Sequence, residues 1–450
     1  MTATVPHTST NTSPARTAQV VAAVFVVANL AIVEGMFFTA SPPAHNTLTA
    51  IGRFFGLHLA FVMALQLLLI ARLPFLDRRV GFDRLTTWHR WTGFTLFWLV
   101  LVHPTFILLG YAKLDKITFL KEFSNLAEQT PVLFGMVAAA LVLITGAVSV
   151  RFARRRLPYE AWHALHLLMY VVIALAILHQ LSEGSAFKTN VLTQLYWWAL
   201  WAFAIGALIV GRMIVPLVRN ARHRLTVEAV VPESGDVVSV YATGRDLGRL
   251  NARAGQFFLW RFPGENGWFQ VNPWSLSAAP DGHRLRLTAK GIGTTSRSLR
   301  NLRPGAKVFA EGPYGAFTAE QRTRSDVLLI AGGIGVTPIR ALLEDPAMTG
   351  DIVVLYRVRD ESEAVLLGEL RELASARGAR LHLVTGRTGA GSPPFDPFGS
   401  ENLRRMVPDV TERDTYVCGP RPMTGAVLRG LRGLHVPSRQ VHAEVFRLAS

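Results

Sequence analysis

Cysteine is nearly absent from this chain, since Cys418 is the only one among 450 residues. A single thiol excludes a disulfide within the chain and any metal site built from several cysteines. Acidic residues are also few, with 31 Asp and Glu against 47 Lys and Arg, a formal net charge of +16. The excess falls in short arginine runs beside apolar segments, without an aromatic-interleaved basic motif, so we expect no nucleic-acid binding.

Long apolar segments are abundant, but they are confined to the first half of the chain. A segment needs about 20 residues to cross a membrane. Six qualify: 18–40, 49–71, 91–111, 131–150, 161–181 and 191–215. The first is too long for a signal-peptide core and predicts a retained span, after a disordered tail at 1–17. We predict a multidomain membrane protein that begins with an antiparallel six-helix transmembrane bundle over 18–218.

The charges between the spans predict the orientation. On one side, the connecting segments contain five, four and four Lys and Arg: 71–90, 151–160 and 211–224. On the other side, they contain none, three and one: 41–50, 112–130 and 181–190. Because basic loops stay in the cytoplasm, we predict a multi-pass protein of the cell membrane with both termini cytoplasmic.

Histidines recur at matched depths in two spans. His89 and His103 are 14 residues apart in the third span, and His166 and His179 are 13 apart in the fifth. Both separations correspond to about 20 Å along a helix. Neutral imidazole is an axial ligand of haem iron. The pattern predicts two b-type haems, one held by His89 with His166 and one by His103 with His179.

The helical phase of the fifth span is less favourable to this prediction. At 100° per residue, the 14-residue spacing in the third span leaves its two histidines about 40° apart around the helix axis. The 13-residue spacing in the fifth span leaves its two histidines about 140° apart. The fifth span must therefore tilt, be locally irregular or present its rings from opposite flanks. The alternative is that the histidines are hydrogen-bonded within the bundle. His58 and His163 have no depth-matched partner and stay unassigned, and Arg53 and Arg90 are further candidates for a haem propionate.

Short β-like runs with turn signals follow from 220 to about 320 and predict an antiparallel β-barrel over 219–322. Two stretches in it, VNPWSLSAAP (271–280) and KGIGTTSRSL (290–299), indicate an FAD site. Trp274 would lie against the flavin, with hydroxyls directed to its polar atoms and glycine-rich amides around the pyrophosphate. The candidate residues are Asn272, Pro273, Trp274, Ser275, Leu276, Ser277, Gly291, Gly293, Thr294, Thr295 and Ser296.

From 325 the pattern becomes strand, glycine-rich turn and helix, repeated along the chain. SDVLLIAGGIGVTPIRALLED is typical of the first unit of a doubly wound α/β domain, which we predict over 323–450. Small residues at the turn would let a dinucleotide phosphate approach the helix. The candidates there are Gly332, Gly333, Gly335, Thr337 and Pro338.

With these residues in view, the chain resembles the NADPH oxidase/ferric reductase superfamily in a bacterial form. Positions 50–180 resemble its ferric reductase-like transmembrane domain, and 220–450 its ferredoxin–NADP⁺ reductase module. The resemblance implies that the four paired histidines ligate two haems. Asn272 departs from the family, which has a basic residue there. The D-x-D-x-D-G loop of its calcium-controlled members is absent from this sequence.

The resemblance also implies roles near the C-terminus. AGGIGVTP (331–338) and Cys418-Gly419-Pro420 look like the nicotinamide motifs, with Cys418 close to hydride transfer. HAEVF (442–446) resembles the terminal Glu-x-Phe, so Phe446 would stack on the flavin until nicotinamide displaces it. Arg357, Arg359 and Arg387 follow strand ends where a 2′-phosphate binds, which favours NADPH over NADH.

The implied function is transmembrane transfer of electrons from cytoplasmic NAD(P)H, through FAD and two b-type haems, to a ferric chelate or dioxygen outside. The expected partners are the bilayer and that small acceptor, and the oligomeric state stays open. Two alternatives remain. A membrane-anchored flavin/NAD(P)H reductase with structural histidines would show no Soret band. A haem-binding sensor or transporter would not bleach FAD when NAD(P)H is added.

Overall fold

The computed structural model describes residues 14–40, 42–149, 159–184, 187–188, 190–265, 270–389 and 396–446. They group into two compact units. The first comprises the chain up to Leu73 together with Asp83–Met213, and the second comprises Pro74–Phe82 together with the chain from Ile214. The sequence-based boundaries at 218/219 and 322/323 remain predictions.

Six helical segments of the described chain are long and apolar enough to cross a membrane, which confirms the predicted number of spans. Their bounds are Thr17–Thr39, Thr47–Ile70, Arg84–Asp115, Thr130–Ser149, Ala161–Glu183 and Val191–His223. The helices of the first half are α1 (Pro14–Thr39), α2 (Thr47–Ile70), α3 (Pro74–Val80), α4 (Phe82–Asp115), α5 (Phe119–Ala127), α6 (Thr130–Ser149), α7 (Tyr159–Leu167), α8 (Met169–Glu183), α9 (Val191–Ile209) and α10 (Val215–His223), with a π-helical stretch at Val210–Ile214.

Apolar packing and capping hold this helical unit together. Ala60 and Phe61 of α2 and Trp197 of α9 are each 1% exposed in its core. Large apolar side chains such as Trp98 are exposed on the outer surface, as in helices that face lipid. Asn46 caps α2, because its side-chain oxygen accepts the Thr49 N–H at 2.9 Å.

The fifth span is locally irregular, which was one of the three arrangements expected from the phase of its histidines. Helix α7 ends at Leu167 and α8 begins at Met169. Between them the Leu168 N–H bonds to the Leu165 carbonyl three residues back, at 3.1 Å. The irregularity therefore lies between His166 and His179.

Two three-stranded antiparallel sheets form one part of the second unit, which we call the antiparallel lobe (226–314). Their orders are β1-β2-β5 and β4-β3-β6. Isolated bridges, such as that between Leu276 and Leu287, connect further residues, but the described strands form no closed barrel. The strands are β1 (Thr226–Ser234), β2 (Val237–Thr243), β3 (Phe257–Arg261), β4 (Asn272–Ser275), β5 (Arg284–Lys290) and β6 (Phe309–Tyr314), with a short helix α11 (Thr294–Ser298).

A five-stranded parallel sheet forms the rest, which we call the parallel lobe (327–446). Its order is β11-β10-β7-β8-β9. Successive residues of β7 belong to two cores on opposite faces, because Leu329 packs with one set of helices and Leu328 with the other. The elements are β7 (Val327–Gly332), α12 (Val336–Glu344), β8 (Ile352–Arg357), α13 (Leu367–Ala376), β9 (Arg380–Val384), α14 (Ser400–Met406), β10 (Asp414–Pro420), α15 (Arg421–Gly433) and β11 (Val441–Phe446).

Candidate functional site

The first histidine pair joins α4 to α7. The ring centroids of His89 and His166 are 6.2 Å apart, and the ring planes make an angle of 82°. The Trp162 ring stacks on His166 at 5.2 Å, which restricts the orientation of that imidazole. Two imidazoles that share one metal ion through bonds of about 2 Å have centroids roughly 6 Å apart. The pair therefore has a separation that suits axial ligation.

The second pair joins α4 to α8. Both of its rings, His103 and His179, are anchored by backbone carbonyls of neighbouring helices. His103 Nδ1 bonds to the Gly52 carbonyl at 2.8 Å, and His179 Nδ1 to the Pro131 carbonyl at 2.9 Å. Since a carbonyl oxygen only accepts, Nδ1 carries the proton in both rings and Nε2 keeps its lone pair. Metal-bound histidines are commonly oriented in this way.

Glycines on neighbouring helices make room for the second pair. A Cβ on Gly56 would lie 2.7 Å from Nδ1 of His103, and a Cβ on Gly135 would lie 2.9 Å from the ring of His179. Both separations are too short for real atoms. Each ring therefore occupies a groove that exists only because the facing residue is glycine.

The two unassigned histidines differ from these four. His58 Nδ1 bonds to the Phe54 carbonyl of its own helix at 2.9 Å, and the two rings contact each other at a tilt of 41°, with centroids 4.3 Å apart. His163 is exposed. Among the described residues no group of three or more His, Cys, Asp or Glu could hold a metal ion.

The predicted flavin segment lies at the end of β4. Ser275 is 3% exposed, and its Oγ has no hydrogen-bond partner among the described residues. Ser277 is fully buried, and its hydroxyl accepts from Arg286 Nε at 3.0 Å and from Thr288 Oγ1 at 2.7 Å. Ser275 therefore has a free hydroxyl for a ligand, whereas Ser277 is engaged within the protein. Trp274 is partly buried, and its carbonyl accepts the Trp260 indole N–H at 3.0 Å.

The glycine-rich stretch at 290–299 turns into α11. The amides of Ile292 and Gly293 both donate to Ser296 Oγ at 3.0 Å. Gly291 donates to the Asp236 carbonyl at 2.6 Å. These three amides are thus satisfied by the protein itself. The side chains of Thr294 and Thr295 lie outside the described part of the structure.

The glycine turn after β7 packs directly on the end of β10. A Cβ on Gly335 would lie 2.3 Å from the Cys418 carbonyl, so this position accepts only glycine. Gly333 has a φ of +52°, a left-handed conformation that favours glycine. The predicted motifs 331–338 and 418–420 are therefore in contact, at the point where strand order reverses between β7 and β10. Thr337 Oγ1 donates to the Ile334 carbonyl at 3.1 Å.

Cys418 is fully buried beside a carboxylate that the sequence reasoning did not single out. In the parallel pairing of β10 with β11, Cys418 is opposite Glu444. Burial raises the pKa of the Cys418 thiol well above its ordinary value, and the Glu444 carboxylate raises it further. Cys418 is therefore a neutral thiol at pH 7. The Phe446 backbone pairs with Pro420, but its side chain lies outside the described part.

The arginines proposed for a 2′-phosphate differ in availability. Arg357 is 9% exposed, and its guanidinium donates to the carbonyls of Val358, Val384 and Gly386 and to Thr388 Oγ1. It therefore fastens the chain after β9 to the end of β8. Arg387 is exposed in that same segment.

Comparisons with known proteins match both halves of the chain. The model of the ferric reductase like transmembrane component matches residues 55–177, and that of the oxidoreductase NAD-binding domain matches residues 329–429. The ferredoxin reductase component of 3-ketosteroid-9-alpha-monooxygenase from Mycolicibacterium smegmatis is 32% identical over 235 residues, covering 50% of this chain and 65% of that protein. A flavohemoprotein from Bordetella pertussis is 29% identical over 233 residues, covering 48% of this chain and 58% of that protein. The match thus covers less than two thirds of each relative.

These matches show what each half of the chain is similar to. The first half is similar to a membrane component, and the second half is similar to FAD- and NAD-binding reductases. More particularly, the chain joins a ferric reductase-like transmembrane domain to an FAD/NAD module of the ferredoxin reductase type, and this fused architecture is the one that the sequence resemblance predicted.

Proposed function

We propose that this protein takes electrons from cytoplasmic NAD(P)H and delivers them across the membrane to a ferric chelate or dioxygen. The observation that carries the proposal is the contact of His89 with His166 across two helices, together with the carbonyl-anchored rings of His103 and His179 in the same helical unit. FAD held by the second unit would supply hydride acceptance and single-electron release, and haem iron held by the histidine pairs would supply single-electron transfer.

The residues of the helical unit support this role in three ways. The Gly52 and Pro131 carbonyls fix the protonated nitrogen of His103 and His179. Gly56 and Gly135 leave space for these rings. Apolar packing is the third, because Leu96 and Val100, which lie between His89 and His103 in α4, are buried in the core of the bundle.

The residues of the second unit support the hydride step. The free hydroxyl of Ser275 would orient the flavin, and the turn at Gly333–Gly335 would hold the dinucleotide beside Cys418. As a neutral thiol, Cys418 would contact the nicotinamide ring without placing a charge beside it. The exposed Arg387 would bind the 2′-phosphate of NADPH.

Liposomes with a ferric chelate and a ferrous indicator trapped inside test the proposal. Protein molecules inserted with the nucleotide module facing outward can use NADPH added outside. They should reduce the trapped chelate, so that the indicator inside the liposomes changes colour. His103→Leu should abolish the lumenal signal yet keep NADPH-dependent reduction of an acceptor added outside. Wild-type protein that reduces only the external acceptor would be a membrane-anchored flavin reductase and would refute the transmembrane path. Trapped cytochrome c, which reports superoxide, distinguishes dioxygen from the chelate as acceptor.

A further inference from the structure

Four buried or partly buried charged side chains connect the antiparallel lobe to the parallel lobe. Arg286 of β5 donates through Nη1 to both carboxylate oxygens of Glu369 in α13, at 2.9 and 3.0 Å. Arg340 of α12 donates to the same carboxylate at 2.7 Å and also pairs with Glu344. We call Arg286, Arg340, Glu344 and Glu369 the lobe bridge.

Two residues of the lobe bridge hydrogen-bond to the chain just after Ser275. Arg286 donates to the Ser277 hydroxyl at 3.0 Å and to the Ser277 carbonyl at 2.7 Å, while its own carbonyl accepts the Ser277 N–H at 2.8 Å. Glu344 accepts the Ala279 N–H at 2.6 Å. The bridge therefore holds this segment at two residues, two and four positions beyond the free hydroxyl of Ser275.

The other end of the bridge leads to the nucleotide turn. Helix α12, which carries Arg340 and Glu344, begins at Val336, directly after Gly333–Gly335. Its nine residues span about 13 Å. A movement of this turn relative to the Ser275 segment would therefore have to break hydrogen bonds of the bridge.

The charges of the bridge are balanced, and its two arginines are buried while its two carboxylates, Glu369 and Glu344, are 30% and 32% exposed. The side chains of Arg286 and Arg340 are 4% and 9% exposed. Partial burial would raise the pKa of Glu369, but the two guanidiniums outweigh it and hold that pKa below its ordinary value. A buried ion pair seldom adds stability over apolar packing, whereas its directional bonds favour one arrangement.

We propose that Arg286 and Glu369 are positioning residues for hydride transfer, because they fix the distance between the flavin segment and the nucleotide turn. This inference rests on the function proposed above. Neither side chain needs to touch a cofactor. Misplacement of the reacting atoms by about 1 Å can slow a reaction by about two orders of magnitude. Loosening the bridge should therefore slow hydride transfer without preventing either cofactor from binding.

Glu369→Gln in the full-length, detergent-purified protein tests this role. The substitution keeps the shape of the side chain but removes its charge. In stopped-flow experiments, the flavin bleaching rate at saturating NADPH should fall about tenfold or more. The amount of bound FAD and the NADPH concentration for half-maximal rate should change less than about twofold. The charge-transfer absorbance formed with NADP⁺ should also weaken, which a purely structural role would not cause.

Glu361→Gln is the matched control. Glu361, in the turn before α13, pairs with Arg371 of that helix, but both side chains are more than half exposed, so the limiting rate should be unchanged. A Glu369→Gln protein with the wild-type limiting rate and charge-transfer band overturns the proposal. If Glu369→Gln does not retain FAD, Arg286→Lys is tested in its place. Lysine keeps the positive charge but cannot hydrogen-bond to Ser277 and Glu369 at the same time as the guanidinium does. An unchanged limiting rate in that variant again overturns the proposal. Wild-type protein whose FAD is not bleached by NAD(P)H would instead refute the proposed function.

Discussion

The imidazole rings of His89 and His166 lie with their centroids 6.2 Å apart and nearly perpendicular to each other. The helix that carries His89 also carries His103, whose Nδ1 bonds to a carbonyl of α2. One helix therefore carries one histidine of each predicted pair.

Leucine at His89 or at His103 should each lower the haem content per protein by about half, because each substitution removes one axial ligand of one haem. A pyridine haemochrome assay on purified protein measures this. His58→Leu is the control, since His58 is satisfied by the Phe54 carbonyl on its own helix and its loss should leave haem content unchanged. Full haem content in both test variants would show that the histidines are structural.

Valine at Gly56 or Gly135 should displace His103 or His179 and release the same haem as His103→Leu does. The cause is steric, because even the Cβ would lie within 3 Å of the facing ring. Low-temperature spectra that resolve the two haems provide the measurement. Gly206→Val is the matched control in another span, since nothing lies within 4 Å of a Cβ there. Retention of both haems with valine at Gly56 and at Gly135 would contradict the assignment of the second pair.

Alanine at Ser275 should change the rate of flavin reduction, whereas alanine at Ser277 should change the stability of the protein. Ser275→Ala removes a hydroxyl that has no hydrogen-bond partner among the described residues, so flavin reduction should slow while the free energy of unfolding stays nearly constant. Ser277→Ala leaves the donors of Arg286 and Thr288 unsatisfied and should cost about 1–3 kcal/mol of stability. Stopped-flow bleaching and thermal melts separate the two. Equal effects on rate and stability would remove the distinction between these serines.

Cys418 should resist alkylation by iodoacetamide across pH 7 to about 9. Only the thiolate reacts, and burial beside Glu444 keeps the pKa of this thiol well above that range. Mass spectrometry of folded and detergent-denatured protein measures the difference, and the denatured protein, which contains the same single thiol, is the control. Rapid labelling of the folded protein at pH 7 would show that the thiol is neither shielded nor of raised pKa.

Arg387→Ala should raise the KM for NADPH about tenfold and leave that for NADH unchanged, because an exposed arginine would lose one phosphate contact. Arg357→Ala should instead weaken the use of both nucleotides and lower the melting temperature, since four acceptors of the chain lose their donor. Steady-state kinetics with each nucleotide provide the test. Loss of NADPH preference in Arg357→Ala alone would reverse these assignments.

The features that the sequence predicted correctly depend on local pattern. Apolar length alone predicted six spans, and the structure has six helical segments of that length and character. The phase mismatch in the fifth span predicted three possible arrangements, and the structure shows local irregularity at Leu168. These inferences need only residues that are close in the chain.

The features that the sequence did not reveal depend on contacts between distant residues. Glu444 stands in the quoted HAEVF motif, but its position opposite Cys418 follows from a strand pairing that no periodicity specifies. Likewise, Glu369 and Arg286 look like ordinary surface charges in the sequence, and only the folded structure shows that β5 and α13 bring them into hydrogen-bonding contact. For the same reason, the sequence could not show that the Ser277 hydroxyl is hydrogen-bonded within the protein whereas that of Ser275 is not.

The most direct test of the central claim is an anaerobic visible spectrum of the detergent-purified protein before and after NADPH. The proposal predicts a b-type Soret band, bleaching of the flavin near 450 nm and then reduction of both haems, with the second haem lost in His103→Leu. A haem signal that stays oxidised while the flavin bleaches, or a protein without a Soret band, would contradict electron transfer through the two histidine pairs.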